Sequence, residues 1–351
     1  MSILPRKWLY KAPANDEFTV MQFNCLADGL AQTGDFAHCT PEELAWEPRW
    51  ALMQEEIALV QPDVLFVQEM NHPEALAQLL PDHQLLFCPK LNSPAQKCGA
   101  PPDGCAMLLR RSYYEVLDVQ VMYFQMESGL NSGAIVVAAR DKRNSQGVVF
   151  STTHLKAKAA QACEDLRCQQ MQQLLTRVRG SRLMLSSRLD GAQDALVVLG
   201  GDFNSAPGRD VYSAVYGEQA QGGPGPGLDF YSLYNSTAVG PHVTSPSRPG
   251  CDEVASGNAY SADDAGETKK PPVAQYALGE PAFSTFKIRR GEGEKRHLID
   301  YLWLSGGPSC VLSALWSLPT AAEVGAQGLP CPRYPSDHLA MAVKLGWRNL
   351  L

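Results

Sequence analysis

The sequence predicts an α/β (α+β) fold in which strands outnumber helices, and three observations carry this. The first ninety residues alternate strand-like and helix-like segments. Residues 105–153 then give four strand-like runs with turn signals and no helix between them. Such successive strands pair antiparallel, whereas strands separated by a helix run parallel. Finally, the strands end in polar residues, and the ends of strands are where open sheets place their chemistry.

Residues 18–24 alternate apolar and polar side chains and form a strand ending in Asn24. Thr40 and Pro41 open a helical segment in which Trp46, Trp50, Met53, Ile57 and Val60 recur at helix spacing, with Pro48 tolerated in a first turn. That stripe reads as core. Gln61-Pro62-Asp63 closes the helix, and residues 64–67 form a buried strand that delivers Gln68 and Glu69. Residues 73–80 read as a short helix and 84–88 as a strand leading to Pro89-Lys90, followed by a Pro-, Ser- and Gly-rich loop over 91–103.

The four runs are 105–109, 116–123, 134–139 and 148–153, the last leading into His154. A helix follows over 161–178, then a polar surface connection over 180–194. Residues 195–199 are an apolar strand entering Gly200-Gly201-Asp202-Phe203-Asn204, where two glycines turn the backbone and Pro207 closes the turn. A short helix covers 210–216. From 235 to 280 Pro, Ser, Gly, Asp and Ala dominate without period, which reads as a mobile insertion, with a lid as the alternative. Strands resume at 283–289 and 298–303, and a last one at 339–345 follows Ser336-Asp337-His338. The organisation expected is an N-terminal extension over 1–17 and a single domain over 18–351.

A chain of 351 residues with 45% hydrophobic and 19% charged residues falls in the soluble globular class. Its net charge of −7 argues against tracking long nucleic acid by bulk charge and favours a small or single-end substrate. The ten cysteines show no zinc or thioredoxin-like spacing and read as buried, reduced thiols. No apolar run approaches the roughly 20 residues that span a bilayer. The N-terminus lacks a secretory apolar block. The expectation is an intracellular, cytoplasmic monomer, with a mitochondrion or other organelle as the alternative.

Asn24, Glu69, His154, Asp202 with Asn204, Asp300, and Asp337 with His338 thus stand at six separate strand ends. Each alone has a structural explanation: GDxN is also a turn signal, and a lone histidine is more often a satisfied core residue. Together they point to chemistry, because a sheet interior tolerates none of them unpaired.

In Phe23-Asn24, Gln68-Glu69, Thr153-His154-Leu155, Gly201-Asp202-Phe203-Asn204, Ile299-Asp300-Tyr301 and Ser336-Asp337-His338 the chain resembles the endonuclease/exonuclease/phosphatase superfamily. Its nocturnin-like branch, beside the carbon-catabolite-repressor deadenylases, is the nearest resemblance. That rests on Met21-Gln22-Phe23-Asn24-Cys25-Leu26-Ala27, Cys88-Pro89-Lys90, Pro102-Asp103-Gly104-Cys105-Ala106, Thr153-His154-Leu155-Lys156-Ala157, Lys287-Ile288-Arg289 and Tyr334-Pro335-Ser336-Asp337-His338-Leu339. Two departures touch substrate choice: Lys158 stands where the branch has an arginine, and the 235–280 segment is longer.

The resemblance implies a four-layer α/β/β/α sandwich of two mostly antiparallel sheets, the DNase I-like fold. It also implies phosphoester hydrolysis with Mg²⁺, or Mn²⁺, bound by Glu69, with Asn24 helping to position that ion or the phosphate and Asp337 as a carboxylate behind the ion's ligands or on a second ion. Asp202 would orient and deprotonate water, and Asn204 would fix the phosphate. His338 would donate to a phosphoryl oxygen with Asp300 holding its tautomer, and His154 would be a further donor. Lys90, Lys156, Lys158 and Arg289 are expected at a basic rim, and Phe286 either as a stacking surface for a base or as core. The substrate implied is the 2′-phosphate of NADP(H). The alternative is the 3′ end of poly(A) RNA, cleaved by a 3′–5′ exoribonuclease. A catalytically inactive binding module is the third reading.

Overall fold

Two mixed sheets stack face to face in the computed structural model, which describes residues 3–125, 132–189, 195–216, 228–235, 279–306 and 310–347. The seven-stranded sheet runs in the order β1 (Trp8–Tyr10), β14 (Cys310–Trp316), β15 (Met341–Trp347), β2 (Asn15–Asn24), β3 (Val64–Met70), β5 (Gly104–Arg110), β4 (His83–Pro89). The six-stranded sheet runs β10 (Tyr231–Ser232), β13 (Asp300–Ser305), β9 (Leu196–Asp202), β8 (Gly147–His154), β7 (Gly133–Asp141), β6 (Tyr114–Tyr123). A separate hairpin joins β11 (Thr285–Arg289) to β12 (Gly293–His297). Neighbours pair antiparallel except β2 with β3 and β8 with β9. Each sheet therefore has one parallel pair, and these two pairs carry the site.

The strands explain the stacking. Every residue of β3 and β8 is buried, which requires cover on both faces. Val20, Phe66, Val137, Phe150 and Val198 fill the space between the sheets. On the outer face of the larger sheet, α3 (Trp46–Val60) packs Met53, Ile57 and Val60 against Phe23 and Leu65. On the outer face of the smaller sheet, α5 (Gln161–Arg188) packs Met171, Leu174, Val178 and Leu185 against Val136, Val149 and Leu199. The layers are helix, sheet, sheet, helix.

Several expectations need correction. The helix expected over 161–178 continues to Arg188, so 180–188 is no surface connection. Its arginines and serines disguise a helical face on which Ser181, Arg182 and Leu185 are buried. Of the four successive strands, the first (β5) pairs with β3 and β4 in the larger sheet, and only the other three form one antiparallel run. The segment 1–17 is not a separate extension. Leu4 is fully buried, β1 pairs with β14, and Arg6 forms an ion pair with buried Glu56. Strands β1, β10, β12 and β14 escaped the sequence reading. Residues 236–278 of the expected insertion lie outside the described residues, but the residues bracketing them meet: Asn235 Nδ2 donates to Glu280 Oε1 at 3.4 Å.

Candidate active site

Asn24 ends β2, and Glu69 lies in the neighbouring β3. The register of β3 on β5 shifts between Val67 and Met70, and Glu69 takes a φ of 60°. Such a bulge re-aims a side chain at the cost of local strain. The carboxylate it turns out accepts from Ala27 N at 2.9 Å and from Asn24 Nδ2 at 3.1 Å.

In the other sheet, β8 ends at His154 directly opposite Asp202 at the end of β9. Gly201 makes that closeness possible. Its φ is 151°, and a Cβ there would lie 2.1 Å from Thr153 O. Asn204, with a φ of 51°, donates its backbone N–H to Asp202 Oδ1 at 2.9 Å and an amide proton to Leu155 O at 3.0 Å.

Asn24 joins the halves. Its Nδ2 also donates to Asp202 Oδ2 at 3.0 Å, while its Oδ1 accepts from Leu26 N. Asn24 thereby braces the two carboxylates against each other, beside the position expected for the ion or the phosphate.

Asp300 begins β13 instead of ending a strand. Because β13 runs antiparallel to β9, its first residue registers with Asp202 and reaches the same edge. Asp300 Oδ2 lies 2.8 Å from His338 Nδ1 and accepts from Ser284 Oγ at 2.6 Å. Gln22 Nε2 donates to its Oδ1 at 3.0 Å and to Gln68 Oε1 at 2.7 Å, and Gln68 donates to Thr152 Oγ1 at 3.0 Å. This amide chain under the site was missed. The available signal was two glutamines inside otherwise apolar strands, where buried amides require partners.

Charge in the site is uneven. Burial, then the charge of Asp300, lifts the Asp202 carboxyl to about 7 against the pull of His338. Burial opposes charge on His338, but Asp300 and Asp337 outweigh it and hold that imidazole at about 10, so it is a cation. Burial, with Lys90 and His338 nearby, pushes His154 well below its usual value, so it is neutral. Asp337 resists burial through Lys287 and His338 and falls to about 2.

Glu69, His154 and Asp202 each offer an atom, all within 4.8 Å of one another. Two buried carboxylates and a neutral imidazole, whose Nε2 lies 4.0 Å from Glu69 Oε1 and 3.5 Å from Asp202 Oδ2, form a donor set that fits a divalent cation. Asp337 is not in this group. Its Oδ2 lies 3.1 Å from Lys287 Nζ and 3.9 Å from Arg289 Nη2, so its charge is already answered by cations. Of the two roles expected for it, this placement fits a carboxylate behind the ion's ligands, where it anchors Lys287 and Arg289.

These groups floor a pocket of about 860 Å³. Lys90, Lys156, Lys158 and Arg289 line it as expected, joined by Lys287 and Lys295. Lys287 was legible in principle, since it lies two residues from Arg289 on the same face of a strand. Lys90 is held by buried Asp103 at 2.5 Å. Of the two readings of Phe286, the structure selects the second. The residue is 1% exposed, packs against Phe283, and is capped by Arg296 at 4.4 Å, so it is core and not a base platform.

An acid–imidazole cluster where two stacked sheets meet, under a cationic mouth, is a site suited to a divalent cation and an anionic ligand. The Endonuclease/Exonuclease/phosphatase family model matches residues 21–338, and the chain belongs to that family. Nocturnin of Drosophila melanogaster is 30% identical over 335 residues, 93% of this chain but 46% of its own, so the chain spans less than half of that relative. The human Nocturnin catalytic domain with a bound sulfate anion superposes with a TM-score of 0.66 at 22% identity, over 98% of this chain and 97% of that one. ANGEL2, a 2′,3′-cyclic phosphatase in complex with adenosine-2′,3′-vanadate, gives 0.69 at 19% identity, over 98% and 99%. At these identities the two structures establish the fold. Among the described residues, no helix is long and apolar enough to cross a membrane.

Proposed function

We propose that this protein is a divalent-metal-dependent phosphoesterase that hydrolyses the 2′-phosphate of NADP(H). The carrying observation is the division of charge within one pocket: buried Glu69, Asp202 and His154 below, six cationic side chains around them. A chain of net charge −7 that gathers cations at one concavity suits a compact, highly charged ligand. The pocket's size is in the range of small-molecule and cofactor sites. Among fold relatives, human Nocturnin holds a sulfate, the shape of a phosphate, and ANGEL2 holds a ribose vanadate, which stands in for a phosphoryl group.

Glu69 would hold the ion, Mg²⁺ with Mn²⁺ as the alternative, beside the donor atoms of Asp202 and His154. When bound, such an ion supplies Lewis-acid stabilisation of charge on the phosphoryl oxygens. Asp202, steadied by Asn204 N–H and by Asn24, orients water and takes its proton. The water oxygen bonds phosphorus as the P–O2′ bond breaks, and the departing 2′-oxygen takes a proton from solvent to become the ribose hydroxyl. His338, fixed and charged by Asp300, donates to a phosphoryl oxygen. His154 is a second donor, and Asn204 helps keep the phosphate in line. Lys90, Lys156, Lys158, Lys287 and Arg289 neutralise the remaining phosphates.

The test gives purified protein and Mg²⁺ either NADPH or an A-tailed RNA. Release of inorganic phosphate with formation of NADH is expected. Shortening of the RNA with no phosphate from NADPH would overturn the reading in favour of a 3′–5′ exoribonuclease. Turnover unchanged in both Glu69→Ala and Asp202→Ala would refute the site itself.

A further inference from the structure

Lys156 and Lys158 reach the pocket on the loop after His154, and that loop does not set its own shape. Lys158 takes a φ of 88°, a conformation costly for any side chain with a Cβ. The loop is held from behind. Arg167 on α5 is 2% exposed, and its Nη1 donates to Lys156 O at 2.8 Å and to Lys158 O at 2.7 Å. Its Nε and Nη2 donate to Glu164 Oε2 at 2.9 and 2.5 Å. Glu164 Oε1 in turn accepts from Ser205 Oγ at 2.6 Å and Val211 N at 3.1 Å, on the chain that follows Asp202 and Asn204. Gln170 Oε1 accepts from Lys156 N at 3.0 Å. One buried guanidinium thus ties the lysine loop to the segment just beyond the acid strand.

We propose that Arg167 is a positioning residue for substrate binding. Acting through the carbonyls of Lys156 and Lys158, it fixes where those two ammonium groups stand at the pocket. This rests on the reading that the two lysines meet substrate phosphates. Arginine is needed because its rigid fork serves two carbonyls and a carboxylate at once, which a single ammonium on a flexible stem cannot do.

Arg167→Lys separates positioning from folding, since it keeps a positive charge beside Glu164. With NADPH, KM is expected to rise about tenfold, the size of one charge-assisted hydrogen bond, with kcat within about twofold. Amide exchange over 156–159 is expected to quicken. In a Lys156→Met/Lys158→Met background the same change is expected to cost less than about twofold in KM, because nothing remains to be positioned. An equal penalty in both backgrounds, or unaltered exchange over 156–159, would overturn the proposal. If the parent protein released no phosphate from NADPH, the proposed substrate alone would fail. The same cycle is then run on affinity for inorganic pyrophosphate by calorimetry, with exchange measured alongside. A drop confined to the lysine-bearing background with quickened exchange supports positioning, and unaltered exchange refutes it.

Discussion

Replacing Gly201 by alanine tests how the acid strand is seated. The added Cβ would lie 2.1 Å from Thr153 O, 3.1 Å from Thr153 C and 3.1 Å from Thr153 N. Ordinary carbon contact begins about 1.3 Å farther out than the nearest of these, and the obstacle is backbone that cannot rotate away. The φ of 151° adds strain of about 1–3 kcal/mol for a residue with a Cβ. Overpacking adds about 1–3 kcal/mol. Together a loss of about 2–6 kcal/mol lowers Tm by about 3–8 °C in a domain of this size. Because β8 and β9 must part just where His154 pairs with Asp202, kcat should fall by more than stability alone explains. Gly200→Ala is the control. Its Cβ meets side chains and no backbone, a Leu302 methyl and an edge of the Phe66 ring, both at 2.8 Å, and these shift more readily than a carbonyl, so its cost should be smaller. Thermal unfolding and single-turnover rates read both variants. An unchanged Tm in Gly201→Ala, or a larger loss in Gly200→Ala, would refute the reasoning.

Asp202→Asn removes the proton acceptor but also a buried charge beside Asp300, so turnover should fall about 10³-fold with Tm held within about 3 °C; activity above a tenth of the parent would contradict the assigned role. Buried His83, its Nε2 3.0 Å from Pro62 O, has its pKa lowered chiefly by burial, against that hydrogen bond. The unfolded chain therefore binds a proton that the native one refuses, and stability falls as pH drops through the usual 6.5 toward the lowered native value. His83→Gln should flatten the slope of Tm between about pH 7 and 5, and an unchanged slope would show that His83 is not its source. Replacing residues 236–278 by a short Gly-Ser linker should leave Tm within about 3 °C and NADPH turnover intact, since Asn235 and Glu280 already meet; loss of cooperative unfolding would show that the segment is needed.

The periodicity of short stretches was enough to find most strands, because a side chain's face is fixed by its neighbours two positions away. Thus 64–67 and 148–153 were legible as buried strands, and the polar residues after them as a site. What failed was whatever depended on a distant partner. The polar run 180–188 reads as surface until β7 lies beneath it. Phe286 could stack or hide equally well until Phe283 and Arg296 enclose it.

Which groups meet was therefore set by the chain itself: acids, amides and imidazoles placed at the ends of strands that must be buried. What each group does was set only by tertiary structure. Asn24 and Asp202 are separated by 178 positions, and Asp300 and His338 by 38, so no local pattern reveals that one pair is a brace and the other a charged couple. The physical reason is that a protonation state or an orphaned donor depends on burial and on the nearest charges. In this protein those charges come from residues of both sheets and from Lys287 on the separate hairpin.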